Sequence, residues 1–281
     1  MIFFCDLSVE KNTVNYAINQ STFHYEAKGI RSFGENHVML DRGIDLTAKT
    51  HWSKAGFGIE KLLLDQLYKD FADNTRSLLM RLWCEAGLLI PTNFQLEHYH
   101  ILASSWEMHL KVLEKTKLLS ISDFPVAINH IEERISEICK EKLEVRNPYD
   151  GQSIFHFRII RPVSQDNNPL HRDVWLEDYK DCINLYIPIA GSNGLSSLIL
   201  IPGSHWWPES NIERTVNGAI INDVKFNVPA VTTISVDFQA VRPNPQDNEV
   251  LIFSPYLIHG GSVNQNSDKT RISIEMRLWK K

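Results

Sequence analysis

His171-Arg172-Asp173 places an imidazole and a carboxylate one residue apart. On an extended backbone, side chains two apart leave on the same face, so both groups can reach one ion. Such a pair suits a divalent first-row metal such as iron(II). A second imidazole would complete a two-histidine, one-carboxylate face with coordination positions left open. Alone the pair is a poor signal, because His-x-Asp/Glu matches arise easily by chance. His24-Tyr25-Glu26 and His130-Ile131-Glu132 also fit. The latter lies in a helical stretch, where residues two apart diverge, and His24 precedes that helical block. The pair at 171 stands just ahead of a run of strands. Its likeness to a kinase catalytic loop fails, since no glycine-rich loop precedes it and Asp237-Phe238-Gln239 is not Asp-Phe-Gly.

The end of the chain offers the second imidazole. EVLIFSPYLIHGGSVNQNSDKTRISIEM reads as an apolar strand, His259, a Gly-Gly turn and a strand opened by Arg271. Arginine grips a carboxylate through paired hydrogen bonds and keeps its charge. Ser273 shares its face and can add a hydroxyl donor. In that last strand Arg271, Ser273, Glu275 and Arg277 alternate with Ile272, Ile274, Met276 and Leu278. Alternation alone does not say whether the charged face meets solvent or lines a barrel interior.

The elements that must carry these residues change character near Pro148. Ile59, Leu62, Leu63, Leu67 and Phe71 recur at helical spacing, and Leu78, Leu79, Leu82 and Trp83 continue the stripe to a stop at Gly87. Ile128, Ile131, Ile135 and Ile138 mark a further helix within 126–145. Beyond 150 the period shortens to two: 153–160, 183–189, 197–201, 230–236, 249–254 and 271–278 read as strands separated by Gly, Pro, Asn and Asp. The expectation is one domain over 1–281, α+β, with residues 1–150 mostly helical and 151–281 forming a β-sandwich or barrel.

The 281-residue chain carries a formal net charge of −5 and has no basic tract, which argues against nucleic acid and anionic membrane as partners. Cys5, Cys84, Cys139 and Cys182 form no Cys-x-x-Cys pair and read as free thiols. The opening MIFFCDLSVEKN reads as no secretory leader, and later apolar runs are short. A cytoplasmic location is expected.

NPLHRDVW, the INLYIPI strand, LILIPGSHWWPES and the segment around His259 and Arg271 together resemble the phytanoyl-CoA dioxygenase-like branch of the Fe(II)/2-oxoglutarate-dependent oxygenases, over roughly 155–279. The resemblance implies a double-stranded β-helix (jelly-roll) core with the N-terminal helices packed outside. It implies His171, Asp173 and His259 as iron ligands and Arg271, helped by Ser273, as the anchor of 2-oxoglutarate. Asn184 and Tyr186 are further co-substrate candidates, with Arg158 and Ser262 weaker ones. The implied reaction is hydroxylation of a small molecule using O2, with release of succinate and CO2. The related halogenases lack the carboxylate that Asp173 supplies. The competing reading is a cupin-like metal-binding jelly roll, an isomerase or sugar-binding module, which has no need of a dicarboxylate anchor. His205 reads as a turn residue that packs rather than a fourth ligand. Trp206, Trp207 and the loop 208–229, with the N-terminal helices, are expected around the substrate. His98 and His100 lack a third partner.

Overall fold

A computed structural model describes residues 11–18, 21–162, 169–221, 224–260 and 263–281. Residues 1–10, with Cys5, and Ser262 lie outside the described residues.

Strands come first: β1 (Lys11–Ile18), β2 (Ser21–Lys28), β3 (Arg31–Phe33) and β4 (Phe57–Lys61). Helices follow, α1 (Asp65–Glu85), α2 (Tyr99–Leu102) and α3 (Trp106–Thr116), then β5 (Leu119–Ser120), α4 (Asn129–Cys139) and β6 (Leu143–Glu144). The remainder is β7 (Ile154–Ile160), β8 (Cys182–Ala190), β9 (Ile199–Leu200), β10 (Ile212–Thr215), β11 (Ala219–Ile221), β12 (Val224–Phe226), β13 (Val231–Ile234), β14 (Glu249–Phe253), β15 (His259–Gly260) and β16 (Arg271–Lys280). The protein is mixed α/β and sheet-rich. Among its described residues no helix is long and apolar enough to cross a membrane.

The first 60 residues correct the expectation of a mostly helical 1–150. Val14, Tyr16 and Ile18 alternate with polar or small residues, and across the β1–β2 hairpin Val14 pairs with Tyr25 and Tyr16 with Phe23. That is a period-two signal. The stripe from Ile59 to Phe71 spans a change of structure: β4 ends at Lys61 and α1 begins at Asp65. Helix α1 then runs unbroken, and Gly87 at φ +100° closes it, with Leu88 N–H donating back to Trp83 O.

Strands β4, β14, β8, β16, β7 and β5 form one antiparallel sheet. Side-chain parity divides its two faces. Phe155, Phe157, Ile183, Leu185, Ile187, Ile272, Ile274 and Leu278 share a buried cluster with Phe71, Leu79 and Trp83 of α1, Val112 of α3, and Ile131 and Ile135 of α4. The opposite parity turns Tyr186, Leu251 and Phe253 inward.

A second β layer faces them. Val231 N–H donates to Leu170 O, His171 pairs with His259, β15 pairs with β9, and Leu200 pairs with Val241. The β1–β2 hairpin covers its outer side through Tyr16, Phe23 and Tyr25, packed with Ile199, Ile201, Ile212 and Ile258. The polar face of β16 therefore lies between two β layers.

Truncating Leu79, fully buried between α1 and the sheet, to alanine is expected to cost about 2–5 kcal/mol of unfolding free energy. Leu89→Ala, at a 91% exposed position, should change it by less than about 0.5 kcal/mol. Urea unfolding of both variants checks this packing.

Candidate metal centre and anion site

The two histidines meet through the backbone. His171 N–H donates to His259 O at 2.8 Å and His259 N–H returns to His171 O at 2.9 Å, so the two residues form an antiparallel bridge. Their rings lie 4.4 Å apart between centroids. Gly260 makes the approach possible, because a Cβ there would meet Pro169 O at 2.8 Å. Asp173 N–H donates to Pro255 O at 3.0 Å, a second tie between the segments.

Hydrogen bonding orients each imidazole. His171 Nδ1 lies 2.7 Å from Pro169 O, and His259 Nδ1 lies 2.9 Å from Leu257 O. A carbonyl only accepts, so each Nδ1 carries a proton, and in the neutral ring this leaves the lone pair on Nε2. Both Nε2 atoms face one carboxylate oxygen: Asp173 Oδ1 is 3.3 Å from His171 and 3.7 Å from His259. These three ligand atoms lie within 4.8 Å of one another and all three residues are buried. Two neutral imidazoles and a carboxylate fit a divalent first-row cation.

Charge is arranged to keep the triad ligand-ready. Burial alone would raise the Asp173 pKa; the Arg277 guanidinium, followed by both imidazoles, outweighs it and holds the carboxyl well below its usual range. Arg277 donates to Asp173 Oδ2 from Nη2 at 3.0 Å and Nε at 3.3 Å, leaving Oδ1 turned towards the imidazoles. Burial, with His171 alongside, pushes His259 down to about 4.

A small cavity opens from the triad. Arg271, Tyr186, Asn184, Arg158, Glu275 and Arg277 all line it. Arg271 is 1% exposed; Nη1 donates to Ser196 O at 3.1 Å, the guanidinium lies 5.7 Å from the Tyr186 ring centroid, and Nε has no hydrogen-bond partner among the described residues. Among the described residues both amide atoms of Asn184 are likewise buried without a hydrogen-bond partner, and Ser273 Oγ, beside the Tyr186 hydroxyl, has no well-formed one. Unpaired buried polar groups are costly. A ligand bearing carboxylate oxygens would satisfy the Arg271 Nε–H, the Ser273 hydroxyl and the Asn184 amide N–H. Tyr186 is already engaged, its hydroxyl 2.7 Å from Ser192 Oγ. Arg158 Nε donates to Glu275 at 2.8 Å.

Other sequence candidates fall elsewhere. His205 is buried with Nε2 3.0 Å from Ser53 O, and it packs where a Cβ on Gly56 would lie 2.6 Å from its Nδ1. Trp206 and Trp207 do not line the cavity. Trp206 packs near Leu40, Val174 and Tyr256, and Trp207 against Phe238. The N-terminal helices contribute no lining residue either, because they cover the sheet's opposite face. His100 bonds Thr270 Oγ1 at 3.0 Å. Sequence reasoning missed the pairings of Arg277 and Glu275, although strand parity had put both on the Arg271 face.

No protein-family model and no curated protein matches the chain. Several solved structures are similar to it at low identity. AviO1 from Streptomyces viridochromogenes Tue57 shares 13% identity over 87% of this chain and 97% of its own, with a TM-score of 0.47. The non-haem alpha-ketoglutarate-dependent epimerase SnoN from nogalamycin biosynthesis shares 9% over 85% and 84%, TM-score 0.47. EctD from S. alaskensis shares 10% over 89% and 80%, TM-score 0.46. Likeness at this level assigns no residue a role here, so the functional reading rests on the cavity itself.

The His259 value near 4 lies below the roughly 6.5 of a free imidazole. As pH falls, the unfolded chain takes up the proton first. His259 therefore favours folding above about pH 6.5 and loses that contribution between there and about 4. In metal-free protein, His259→Asn should reduce the slope of unfolding free energy against pH in this window by up to about 1.4 kcal/mol per pH unit. Urea unfolding at three pH values measures it, and an unchanged slope contradicts the buried, neutral assignment.

Proposed function

We propose that the protein is a single-domain Fe(II)- and 2-oxoglutarate-dependent oxygenase of double-stranded β-helix fold that hydroxylates a small molecule. The observation that carries this reading is the meeting of His171, Asp173 and His259 in a cavity that also buries Arg271. The two facing β layers, β14-β8-β16-β7 and the layer built on the His171–His259 bridge, support the fold assignment.

In this reading His171 Nε2, His259 Nε2 and Asp173 Oδ1 hold iron(II). When bound, iron and 2-oxoglutarate supply the oxidation: O2 is consumed, succinate and CO2 leave, and a substrate C–H bond becomes C–OH. The chain's own residues prepare this. The Nδ1–H donors to Pro169 and Leu257 keep both imidazoles in the ligating tautomer. Arg277 keeps Asp173 ionised and ties up Oδ2, so the carboxylate offers one oxygen to the metal. Arg271 receives the far carboxylate of 2-oxoglutarate, with the Ser273 hydroxyl donating beside it. Asn184, whose amide has no partner among the described residues, serves the co-substrate's other end. Burial of the whole set excludes water and strengthens each charge interaction. A cupin-like binding module would leave Arg271 without a use, and a fully buried guanidinium is costly to keep.

Asp173→Ala is expected to abolish succinate release in a screen against metabolite pools. Arg271→Gln should raise the KM for 2-oxoglutarate about 10- to 100-fold, the loss of an ion-paired fork being worth about 1.5–3 kcal/mol. Full coupled turnover by Asp173→Ala would refute the ligand set, and an unchanged KM in Arg271→Gln would remove the anchor assignment.

A further inference from the structure

The residue between the two ligands of the His-x-Asp pair points the other way. Arg172 sits on extended backbone (φ −111°, ψ 136°), so its side chain leaves opposite His171 and Asp173. It is fully buried there. Its guanidinium donates to Glu209 Oε1 and to the Ser204 carbonyl, with Trp207 O at 3.4 Å. Glu209, 3% exposed, also accepts from Trp175 Nε1 at 2.9 Å and faces Arg214 Nε at 3.6 Å. Its own N–H donates to His37 O at 2.9 Å.

The same turn holds the third ligand's segment. Ser204 Oγ accepts from the backbone N–H of Ile258, the residue before His259, at 2.8 Å. Ile201 N–H adds a bond to Ile258 O at 2.9 Å. One residue, Ser204, thus grips position 172 through its carbonyl and position 258 through its hydroxyl. A buried arginine and glutamate stand where apolar residues of similar volume would often be neutral or stabilising.

We propose that Ser204, Arg172 and Glu209 form a clamp that sets the spacing of His171 and Asp173 relative to His259, and that they are positioning residues for the metal. The proposal rests on the metal-site reading above. The clamp touches no ligand atom. It acts through backbone on both sides of the site, so its loss enlarges the range of triad geometries and lowers metal affinity. It also gives the PGSH turn a role: Ser204 is the working residue, while His205 wedges the turn against Gly56.

The test is anaerobic Co(II) titration of metal-free protein, followed by the visible ligand-field absorption, with circular dichroism and the thermal midpoint of the metal-free form measured alongside. Wild type, Ser204→Ala, Arg172→Met and the double variant are compared. The expected result is a Kd weakened about 10- to 100-fold in each single variant. In the double variant the loss is smaller than the product of the single losses, because both act through one turn. A lowered thermal midpoint with Kd within twofold of wild type in both single variants overturns the clamp and leaves the metal site standing. Should Arg172→Met fail to fold, the milder Ser204→Ala decides alone. Failure of wild type to bind Co(II) defeats the metal-site reading, and the clamp with it.

Discussion

His171 and His259 are far apart in sequence and are joined by a reciprocal pair of backbone hydrogen bonds. The geometry of the whole site depends on that bridge. It fixes the two Cα positions, while the carbonyls of Pro169 and Leu257 fix each ring's rotation and tautomer. Gly260 is required because the strands pass too closely for a side chain. Once the imidazoles face each other, a carboxylate two residues from His171 reaches both, and Arg277 from the opposite sheet decides which of its oxygens does so. Side-chain geometry at the triad is thus determined mainly by main-chain pairing. Such pairing is rigid, and among the described residues it leaves the ligand atoms facing one another while Arg277 engages only Oδ2 of Asp173.

Charge is distributed in the same spirit. The cavity holds Asp173 against Arg277 and Glu275 against Arg158, while Arg271, which among the described residues donates to the Ser196 carbonyl and lies over a tyrosine ring, has only a share in the Glu275 carboxylate. A buried cation so weakly compensated is an electrostatic demand for an anion. It stands in the same cavity as three groups that together favour a divalent metal. A dicarboxylate that chelates the metal at one end and meets Arg271 at the other answers both demands, and this is why the site reads as an oxygenase rather than as a general cation site.

Much of this was legible in residue order. The strands expected after 150 appear within a few residues of their places, although β10, β11 and β12 occupy what read as the loop 208–229, and the parity of RISIEMRL put Arg271, Ser273, Glu275 and Arg277 on one face. What parity could not say was which way that face looks; the β layer carrying His171 and His259 settles it. The N-terminal strands were missed although Val14, Tyr16 and Ile18 alternate at period two; the layer that gives this alternation its meaning, with Ile199, Ile212 and Ile258, is distant in sequence. The Arg172–Glu209 pair escaped for the same reason. Nothing local marks Glu209 as the partner of a residue in the His-x-Asp segment, and only the folded turn at 203–207 brings them together. Trp206 and Trp207 looked like pocket walls because they follow a barrel strand, yet that turn faces away from the cavity.

The most direct test of the account is anaerobic visible spectroscopy of the wild-type protein with Fe(II) and 2-oxoglutarate added separately and together. Chelation of the metal by a 2-oxo acid held between the triad and Arg271 predicts a charge-transfer band that requires both additions and weakens sharply in Arg271→Gln. Absence of the band in wild type, with iron bound, would contradict the proposal that this cavity takes 2-oxoglutarate.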